Sequence, residues 1–210
     1  MSRILITSGP TRQYLDPVRY LTNASSGRMG AALATAAIQA GHQVTIVSGP
    51  VDVPYPAEAE VIRVVSTEEM LQACLSVFPT CEGLIAVAAP CDYRPAAVAS
   101  SKIRKTGKPL QLELVETPDV VAELAAVKKN QWIVGFALET EDQRIRAMQK
   151  LERKSCNLIV LNGPQAIQAN NTEVEILDRQ GTSLGYFAGS KNDVAKQIVA
   201  VIDAQLVQPK

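Results

Sequence analysis

Three features of the sequence predict an α/β fold with a doubly wound, mostly parallel sheet. Short apolar runs typical of buried strands alternate with segments whose apolar residues recur at helical spacing. The first two such runs, 3–8 and 43–48, flank an alanine-rich helical segment, which is the order of a βαβ unit with a right-handed crossover. Late in the chain, a turn signal at 178–182 separates two strand patterns and predicts an antiparallel hairpin.

The remaining elements follow in the order that this fold requires. Helices are predicted over residues 27–40, 67–78, 117 onward, 141–156 and 190–207, and further strands over 60–65, 83–89, 110–115, 132–137, 158–161, 173–177 and 184–187. Ser25 or Ser26 is expected to cap the first helix, Thr67 the second, and Thr117 the third, with proline in its first position. Residues 110–115 alternate like an edge strand, and 162–171 read as a polar loop.

Length and composition favour one globular domain over residues 1–210. Hydrophobic residues make up 47% of the chain and its formal net charge is zero, which argues against a nucleic-acid or membrane-surface binder. No apolar run approaches the roughly 20 residues that cross a bilayer. The four cysteines form no C-x-x-C pair and are expected to be reduced thiols of a cytoplasmic protein, and the single histidine, His42, is predicted to be structural.

The connection between the first strand and the first helix carries the strongest functional signal. Serines and glycines surround the predicted helix start at 25–30, and Arg19 and Asn23 precede it. The N–H groups of a first helical turn have no intrahelical acceptor, and the helix dipole is positive there. This connection is therefore interpreted as a site for a phosphorylated or carboxylated small molecule.

Basic residues form two further groups. Four positive charges and no acid lie within 102–108, which is either a solvated loop or a mobile flap that closes over a polyphosphate. Lys150 and Lys154 share one helix face, which either meets solvent or holds an anion, whereas Glu152 and Arg153 are expected to point elsewhere.

Several single residues near strand ends admit two interpretations each. Asp92 and Asp119 are either helix caps or ligands of a magnesium ion or a ribose, with capping favoured for Asp119. Phe136 belongs to the core or packs against a base. Cys91 has the chemistry of a nucleophile, but no general base is identifiable beside it.

Two other nucleotide-binding classes lack their signatures here. A dinucleotide-binding reductase is disfavoured because the chain has no G-x-G-x-x-G and its second strand ends without an acid for a ribose hydroxyl. No tyrosine is followed four residues later by lysine, and no P-loop motif occurs. An NAD(P) site is therefore not expected.

Motifs along nearly the whole chain resemble those of the phosphopantothenate–cysteine ligases of coenzyme A biosynthesis. These motifs are Gly9-Pro-Thr-Arg, Asp16-Pro-Val-Arg, Asn23-x-Ser-Ser-Gly-Arg-Met-Gly, Ala88-Ala-x-x-Asp-Tyr-Arg, Lys102-Ile-x-Lys, Pro118-Asp-Val-Val, Gly135-Phe-Ala-x-Glu-Thr, Lys150-x-x-x-Lys and the late Asn162. The resemblance implies a Rossmann-like domain that forms a homodimer. It also implies a Mg²⁺-dependent reaction in which 4′-phosphopantothenate and CTP form an acyl-cytidylate, from which L-cysteine displaces CMP.

The resemblance also implies a role for individual residues. Asn23 and Lys102 are expected to be catalytic, Asn23 by hydrogen bonding the acyl-nucleotide and Lys102 by acting on the phosphates from the flap. Substrate binding is expected of Arg19, Asn23, Ala89 and Asn162. Nucleotide binding is expected of Gly9, Ser25, Gly27, Gly30, Ala86, Val87, Ala88, Asp92, Lys102, Pro118, Asp119, Val120, Val121, Phe136, Lys150 and Lys154. Asp92 is the expected metal ligand, with Mg²⁺ held mainly by the nucleotide phosphates.

Three positions depart from the motifs of this family. Pro90-Cys91 stands where small or branched apolar residues are usual, Thr117 replaces a common asparagine, and Gly163 replaces a common acid. In many bacteria the domain follows a flavin-dependent decarboxylase, but this sequence begins at the ligase signature. It is therefore expected to be either a free-standing enzyme or an excised domain, and no FMN site is expected.

Overall fold

A computed structural model of the protein describes residues 1–138, 142–162 and 171–207. Its strands are β1 (Arg3–Ser8), β2 (Arg12–Tyr14), β3 (Tyr20–Thr22), β4 (Gln43–Ser48), β5 (Glu60–Arg63), β6 (Gly83–Ala86), β7 (Tyr93–Pro95), β8 (Leu114–Glu116), β9 (Trp132–Leu138), β10 (Leu158–Asn162), β11 (Asn171–Leu177) and β12 (Ser183–Ser190). Its α-helices are α1 (Arg28–Gln39), α2 (Thr67–Val77), α3 (Val120–Val127), α4 (Gln143–Arg153) and α5 (Lys191–Ile202). A 3₁₀ turn follows α2, and a π-helical turn, Asp203–Val207, follows α5.

Eight of the described strands form a single sheet in the order β12-β11-β10-β9-β6-β1-β4-β5. The strands from β10 to β5 run parallel, whereas β10, β11 and β12 pair in antiparallel fashion. The predicted α/β class, with its mostly parallel sheet and late hairpin, is confirmed.

Helices cover both faces of this sheet because side chains alternate along each buried strand. Ile4 and Ile6 of β1 belong to the apolar cluster that includes α1 and α5. Leu5, which lies between them, belongs to the opposite cluster, which includes residues of α2, α3 and α4. A doubly wound domain results, with one core on each side of the sheet.

The caps of two helices differ from the sequence prediction. Ser66 rather than Thr67 caps α2, because its Oγ accepts the N–H of Glu69 at 3.1 Å while the Thr67 hydroxyl pairs with Thr11 at 2.8 Å. Asp119 rather than Thr117 caps α3, with its Oδ1 3.2 Å from the N–H of Ala122. Capping was the favoured interpretation of Asp119, and that prediction is confirmed.

Small strands outside the main sheet were missed or misplaced. The first connection contains the short antiparallel pair β2–β3, which was not predicted from the sequence. The edge strand predicted over 110–115 is wrong, because residues 114–116 pair with β7 in a separate two-stranded sheet. Most of the polar loop predicted over 162–171, at 163–170, lies outside the described residues.

His42 has structural contacts, as predicted. Its ring is buried at the start of β4, where Nδ1 accepts the Ser2 N–H at 3.2 Å and Nε2 lies 2.9 Å from Asp203. The imidazole thereby connects the start of the chain to the segment that follows α5.

The carboxyl ends of β1, β6, β9 and β10 lie at one edge of the sheet because these strands are parallel. The hairpin β11–β12 reverses the chain direction twice, so α5 begins at the same edge. The N-termini of α1 and α5 therefore both open towards the edge at which ligands bind in such sheets.

Candidate functional site

A cleft of about 790 Å³ lies at the carboxyl ends of the parallel strands. Its lining is drawn from the first connection, the ends of β6 and β9, the start of α3 and the end of α4. The predicted site residues that it brings together are Asn23, Ser25, Gly27, Gly30, Ala86, Val87, Ala88, Ala89, Asp92, Asp119, Val120, Val121, Phe136, Lys150, Lys154 and Asn162.

The start of α1 has no side-chain cap. Gly27 occupies the N-cap position with φ 73°, a left-handed conformation that glycine adopts without strain, and it makes no side-chain cap hydrogen bond. The prediction that Ser25 or Ser26 caps this helix is therefore wrong. Since a first turn has no intrahelical acceptors for its N–H groups, α1 presents backbone donors and a positive dipole end to the cleft.

Gly30 allows α1 to approach the end of β1. A Cβ at position 30 would lie 2.6 Å from the Cβ of Ser8, closer than such atoms pack. Gly9 does not line the cleft but bonds to the loop that follows β6. Its carbonyl accepts the N–H of Ala89 at 2.9 Å, and its φ of 75° again requires the left-handed region.

Asn23 bridges the first connection to the loop that follows β6. Its Nδ2 donates to the carbonyl oxygens of Ala89 at 3.2 Å and Pro90 at 2.8 Å. The predicted catalytic amide and the predicted substrate contact Ala89 are thus adjacent in the fold. This contact fixes the position of the Asn23 side chain at the mouth of the cleft.

Lys154 and Asp119 form an ion pair on the other wall. The ammonium lies 3.0 Å from Oδ2 of Asp119, and the lysine side chain is largely buried. Burial acts to raise the pKa of the Asp119 carboxyl, but the hydrogen bond and the charge of Lys154 outweigh it, so the pKa lies below its ordinary value. Asp119 is therefore ionised near neutral pH.

The end of α4 adds further positive charge. Lys150 and Lys154 both line the cleft, and so does Arg153, so the prediction that Arg153 points elsewhere is wrong. Helical spacing is a poor guide at this position, because Lys154 is the C-cap of α4 and has already left helical geometry. Cations near a helix C-terminus are also favoured by its dipole, so these residues serve local stability as well.

A polar network holds the loop that contains Cys91. The Cys91 N–H donates to the Thr11 hydroxyl at 2.8 Å, and its carbonyl accepts from the hydroxyls of Thr67 and Thr117. Two departures from the family motifs, Cys91 and Thr117, are therefore bonded to each other. Burial raises the pKa of the Cys91 thiol, which remains protonated and unreactive.

Four predicted site residues do not line the cleft. Gly9 supports it from behind, and Pro118 precedes the cap of α3. Lys102 lies on an exposed segment, and the Arg19 guanidinium is 3.4 Å from Asp16 and donates to the carbonyl of Ile103 at 3.0 Å. Arg19 and Lys102 are thus neighbours at the base of the flap.

The sequence analysis assigned no role to two basic residues of the cleft, Arg28 and Lys191. They occupy the first positions of α1 and α5. Burial, and then the charge of Arg28, lower the pKa of Lys191. Arg28 lies within the glycine motif, so the motif could have identified it. Lys191 could not be predicted from local sequence, because its position depends on the two chain reversals made by β11 and β12.

Metal ligands are sparse in this cleft. Within residues 1–138, 142–162 and 171–207, no three His, Cys, Asp or Glu side chains cluster as a metal site would require. Asp92 and Glu116 line the cleft, and Asp119 is already paired. This donor set fits Mg²⁺ in its common mode, in which one or two carboxylates assist substrate phosphates.

Among the helices of the described segments, none has both the length and the apolar character needed to cross a bilayer.

The fold and the cleft define a Rossmann-like α/β domain whose cleft, at the carboxyl ends of its strands, is lined by lysine and arginine side chains and the start of a helix. A sequence model of the DNA/pantothenate metabolism flavoprotein C-terminal domain matches residues 1–206. The chain belongs to this family, which confirms the family resemblance seen in the motifs.

Individual relatives agree with this assignment. The chain is 42% identical over 211 residues to the coenzyme A biosynthesis bifunctional protein CoaBC of Vibrio cholerae, covering 97% of this chain and 53% of that protein. The chain thus spans about half the length of this relative. A crystal structure of the C-terminal domain of a CoaBC protein superposes with a TM-score of 0.80 at 34% identity, covering 96% of this chain and 93% of that one.

A more distant structure shares the fold. A Cab2 variant in complex with phosphopantothenate-cysteine superposes with a TM-score of 0.79 at 16% identity, covering 96% of this chain and 86% of that one.

Proposed function

We propose that this chain is a ligase that joins 4′-phosphopantothenate to L-cysteine in coenzyme A biosynthesis, with CTP as the activating nucleotide. In the first step, a carboxylate oxygen of phosphopantothenate attacks the α-phosphorus of CTP. The bond to the bridging oxygen breaks, and pyrophosphate leaves. In the second step, the cysteine amine attacks the acyl carbon, CMP leaves, and the amine loses a proton as the amide forms.

The uncapped start of α1, opposite the lysines of α4, carries this proposal. The first step brings two polyanions together, and neither step needs covalent attack by a side chain, so backbone donors and cations supply the chemistry. Gly27 leaves the first turn of α1 without a cap, and Lys150 and Lys154 line the same cleft. Burial raises the pKa of the Cys91 thiol, so this thiol is unsuited to a covalent route.

The roles proposed for single residues rest on the family resemblance, and the placement of most of these residues in the cleft supports them. The first turn of α1, with Ser25, Gly27 and Gly30, receives the phosphates. Phe136 and residues 119–121, which line the cleft, surround the base and ribose, and Lys150 and Lys154 add charge on that side. Asn23 and Lys102 act on the acyl-nucleotide, and Arg19, Ala89 and Asn162 hold the pantothenate substrate.

Mg²⁺ is the metal ion that we propose for this reaction. Asp92, with Glu116 nearby, would hold the ion together with the phosphate oxygens. When bound, it neutralises charge on the phosphates. The choice of CTP over ATP rests on the likeness to the bacterial ligases.

We also propose that residues 1–210 form one domain, which dimerises through a surface around the two small sheets. Exposed apolar side chains cluster in these segments, namely Tyr14, Val18, Tyr20, Tyr93, Val98, Leu110, Leu112 and Leu114. A homodimer would remove them from water. Light scattering should give a mass near 45 kDa, twice the 22.6 kDa of one chain. A monomeric mass at micromolar concentration would contradict this part of the proposal.

A cytoplasmic location is proposed on chemical grounds. All four cysteines are free and buried, which suits a reducing compartment.

Pyrophosphate release from CTP tests the activity directly. Folded protein with Mg²⁺, CTP and phosphopantothenate should release pyrophosphate, and adding cysteine should sustain turnover and yield CMP. Omitting phosphopantothenate is the control and should abolish release. Thermal shifts with CTP and NADPH should be measured in parallel, because stabilisation by CTP without release indicates a binding domain, whereas stabilisation by NADPH indicates a reductase. Absence of release under all conditions contradicts the ligase proposal.

A further inference from the structure

Hydrogen bonds attach the backbone on both sides of Lys102 to the loop at residues 15–19. The N–H of Ala99 donates to the carbonyl of Leu15 at 3.0 Å. Beyond Lys102, the N–H of Ile103 donates to Oδ2 of Asp16 at 3.0 Å, and its carbonyl accepts from the Arg19 guanidinium at 3.0 Å. Both backbone groups of Ile103 are thus bonded to the same loop.

Asp16 is the centre of this attachment. Its side chain is fully buried, and its Oδ1 accepts the N–H groups of Val18 at 2.8 Å and Arg19 at 3.0 Å. Its Oδ2 accepts from Ile103 and lies 3.4 Å from the Arg19 guanidinium. The hydrogen bond from Ile103, ahead of the opposing effect of burial, lowers the pKa of Asp16, so the carboxylate is ionised near neutral pH.

The attachment distinguishes Lys102 from the other basic residues of its segment. Ile103 is half-buried, whereas its neighbours on both sides are exposed. Consecutive Cα atoms are about 3.8 Å apart, so a fixed Ile103 restricts the backbone of Lys102 closely. Arg104, Lys105 and Lys108 lie beyond the attachment, around Gly107 with its φ of 76°. We therefore expect the attachment at Ile103 to restrict their backbone less than that of Lys102.

We propose that Asp16 is the positioning residue of Lys102, because its carboxylate holds the base of the flap so that the lysine ammonium is delivered to the phosphates in one orientation. This rests on the proposed function only in giving Lys102 a role at the phosphates. The attachment itself is independent of that role. Arg19 contributes a second bond to the same clamp, in addition to its proposed contact with substrate.

The Asp16→Asn substitution separates the clamp from the local turn. An asparagine can keep one oxygen towards the N–H groups of Val18 and Arg19, but it then turns an NH₂ donor towards the N–H of Ile103. The bond to the flap is lost while the turn is retained. Asp178→Asn is the matched control, because Oδ1 of Asp178 also accepts two backbone N–H groups, those of Gln180 and Thr182, in a turn that does not contact the flap.

Limited proteolysis reports the clamp without any need for activity. Trypsin can cut after Lys102, Arg104 and Lys105, whereas Lys108 is followed by proline. In Asp16→Asn, cleavage after Lys102, next to the attachment, should accelerate about tenfold, as expected for the loss of one charged hydrogen bond. Cleavage after Arg104 and Lys105 should change much less. An equal change at all three bonds, or the same change in Asp178→Asn, would overturn the proposal.

Kinetics report whether the clamp acts through Lys102. In the pyrophosphate assay, Asp16→Asn should lower kcat about tenfold and change KM for CTP less than about threefold. Lys102→Gln should have a much smaller effect in the Asp16→Asn background than in the wild type, because the two residues act as a unit. Independent, additive effects would show that Asp16 is merely structural.

Hydrogen exchange of the unmodified protein covers the case in which Asp16→Asn does not fold. The amides of Ala99 and Ile103 should exchange at least about tenfold more slowly than those of residues 104–107, and equal rates would overturn the clamp. An inactive wild type with this protection leaves the clamp standing and removes the ligase proposal. An active wild type with unprotected amides does the reverse.

Discussion

The ammonium of Lys154 lies 3.0 Å from the carboxylate of Asp119, and this pair joins the end of α4 to the start of α3 across one wall of the cleft. Asp119 also caps α3, so one carboxylate serves a helix and a cation together. An anion that enters the cleft therefore meets a lysine whose position is already fixed. Preorganisation of this kind lowers the cost of binding, because little side-chain freedom remains to be lost.

Lys154→Gln should raise the pKa of Asp119, since burial remains and the opposing charge is gone. In the wild type, the lowered pKa means that the carboxylate stabilises the fold fully above its unfolded pKa, and this stabilisation is lost as the pH falls through the lower, folded-state pKa. Carboxyl-carbon NMR titration of both proteins measures the change. Lys129→Gln, an exposed lysine on the loop after α3, should leave the titration of Asp119 unchanged. An unshifted Asp119 in Lys154→Gln would contradict the pairing.

Gly30→Ala should destabilise the fold and weaken nucleotide binding, because the new Cβ would press on Ser8. Overpacking costs about 1–3 kcal/mol, which exceeds the roughly 1 kcal/mol that alanine gains over glycine in a helix. We expect a net loss of about 1 kcal/mol in the free energy of unfolding, measured in urea. Thr35→Ala, on the exposed side of the same helix, should be nearly neutral. Adding Ser8→Gly should recover part of the loss, and a fully additive double variant would argue against the contact.

Cys91→Ala should retain kcat within about threefold, because the thiol is protonated and no covalent step is proposed for it. Stability should fall by about 1–2 kcal/mol, as the buried sulfur and its contact with the Thr11 carbonyl at 3.4 Å are lost. Pyrophosphate release and urea unfolding measure the two effects. A loss of activity beyond about a hundredfold in a folded variant would indicate that Cys91 has a catalytic role.

Lys102→Gln should lower kcat by about 100-fold or more, as expected when a cation that stabilises developing phosphate charge is removed. Lys105→Gln, on the same exposed segment but beyond the attachment at Ile103, should stay within about threefold of the wild type. The same steady-state assay applies to both variants. Equal effects of the two substitutions would mean that the flap contributes only general positive charge.

The sequence predicted the fold well where burial dictates periodicity. The bounds of β1 and β4 were predicted correctly, because buried apolar runs flanked by glycine admit little alternative. The pairs β2–β3 and β7–β8 were missed because each strand has three residues and β7 and β8 come from distant parts of the chain. No local pattern reveals a pairing that only the tertiary fold brings about.

The parts of the site that were predicted from the sequence are those in which the functional residues lie together in one short motif. The glycine loop with Asn23 and the lysines of α4 were brought together in the cleft as expected. The cap of α1 was predicted wrongly because serine is the commoner cap, and only the left-handed φ of Gly27 shows the alternative. Lys191 was missed because its place depends on the path of a hairpin, which the local sequence does not specify.

The imidazole of His42 contacts Ser2 on one side and Asp203 on the other, so residues near both ends of the described chain contact the same ring. A short peptide linker could join these ends with little entropic cost. A circularly permuted chain, closed there and opened at the turn after Asp178, should therefore fold to the same sheet order. Such a permutant would allow reporter groups to be attached away from the cleft.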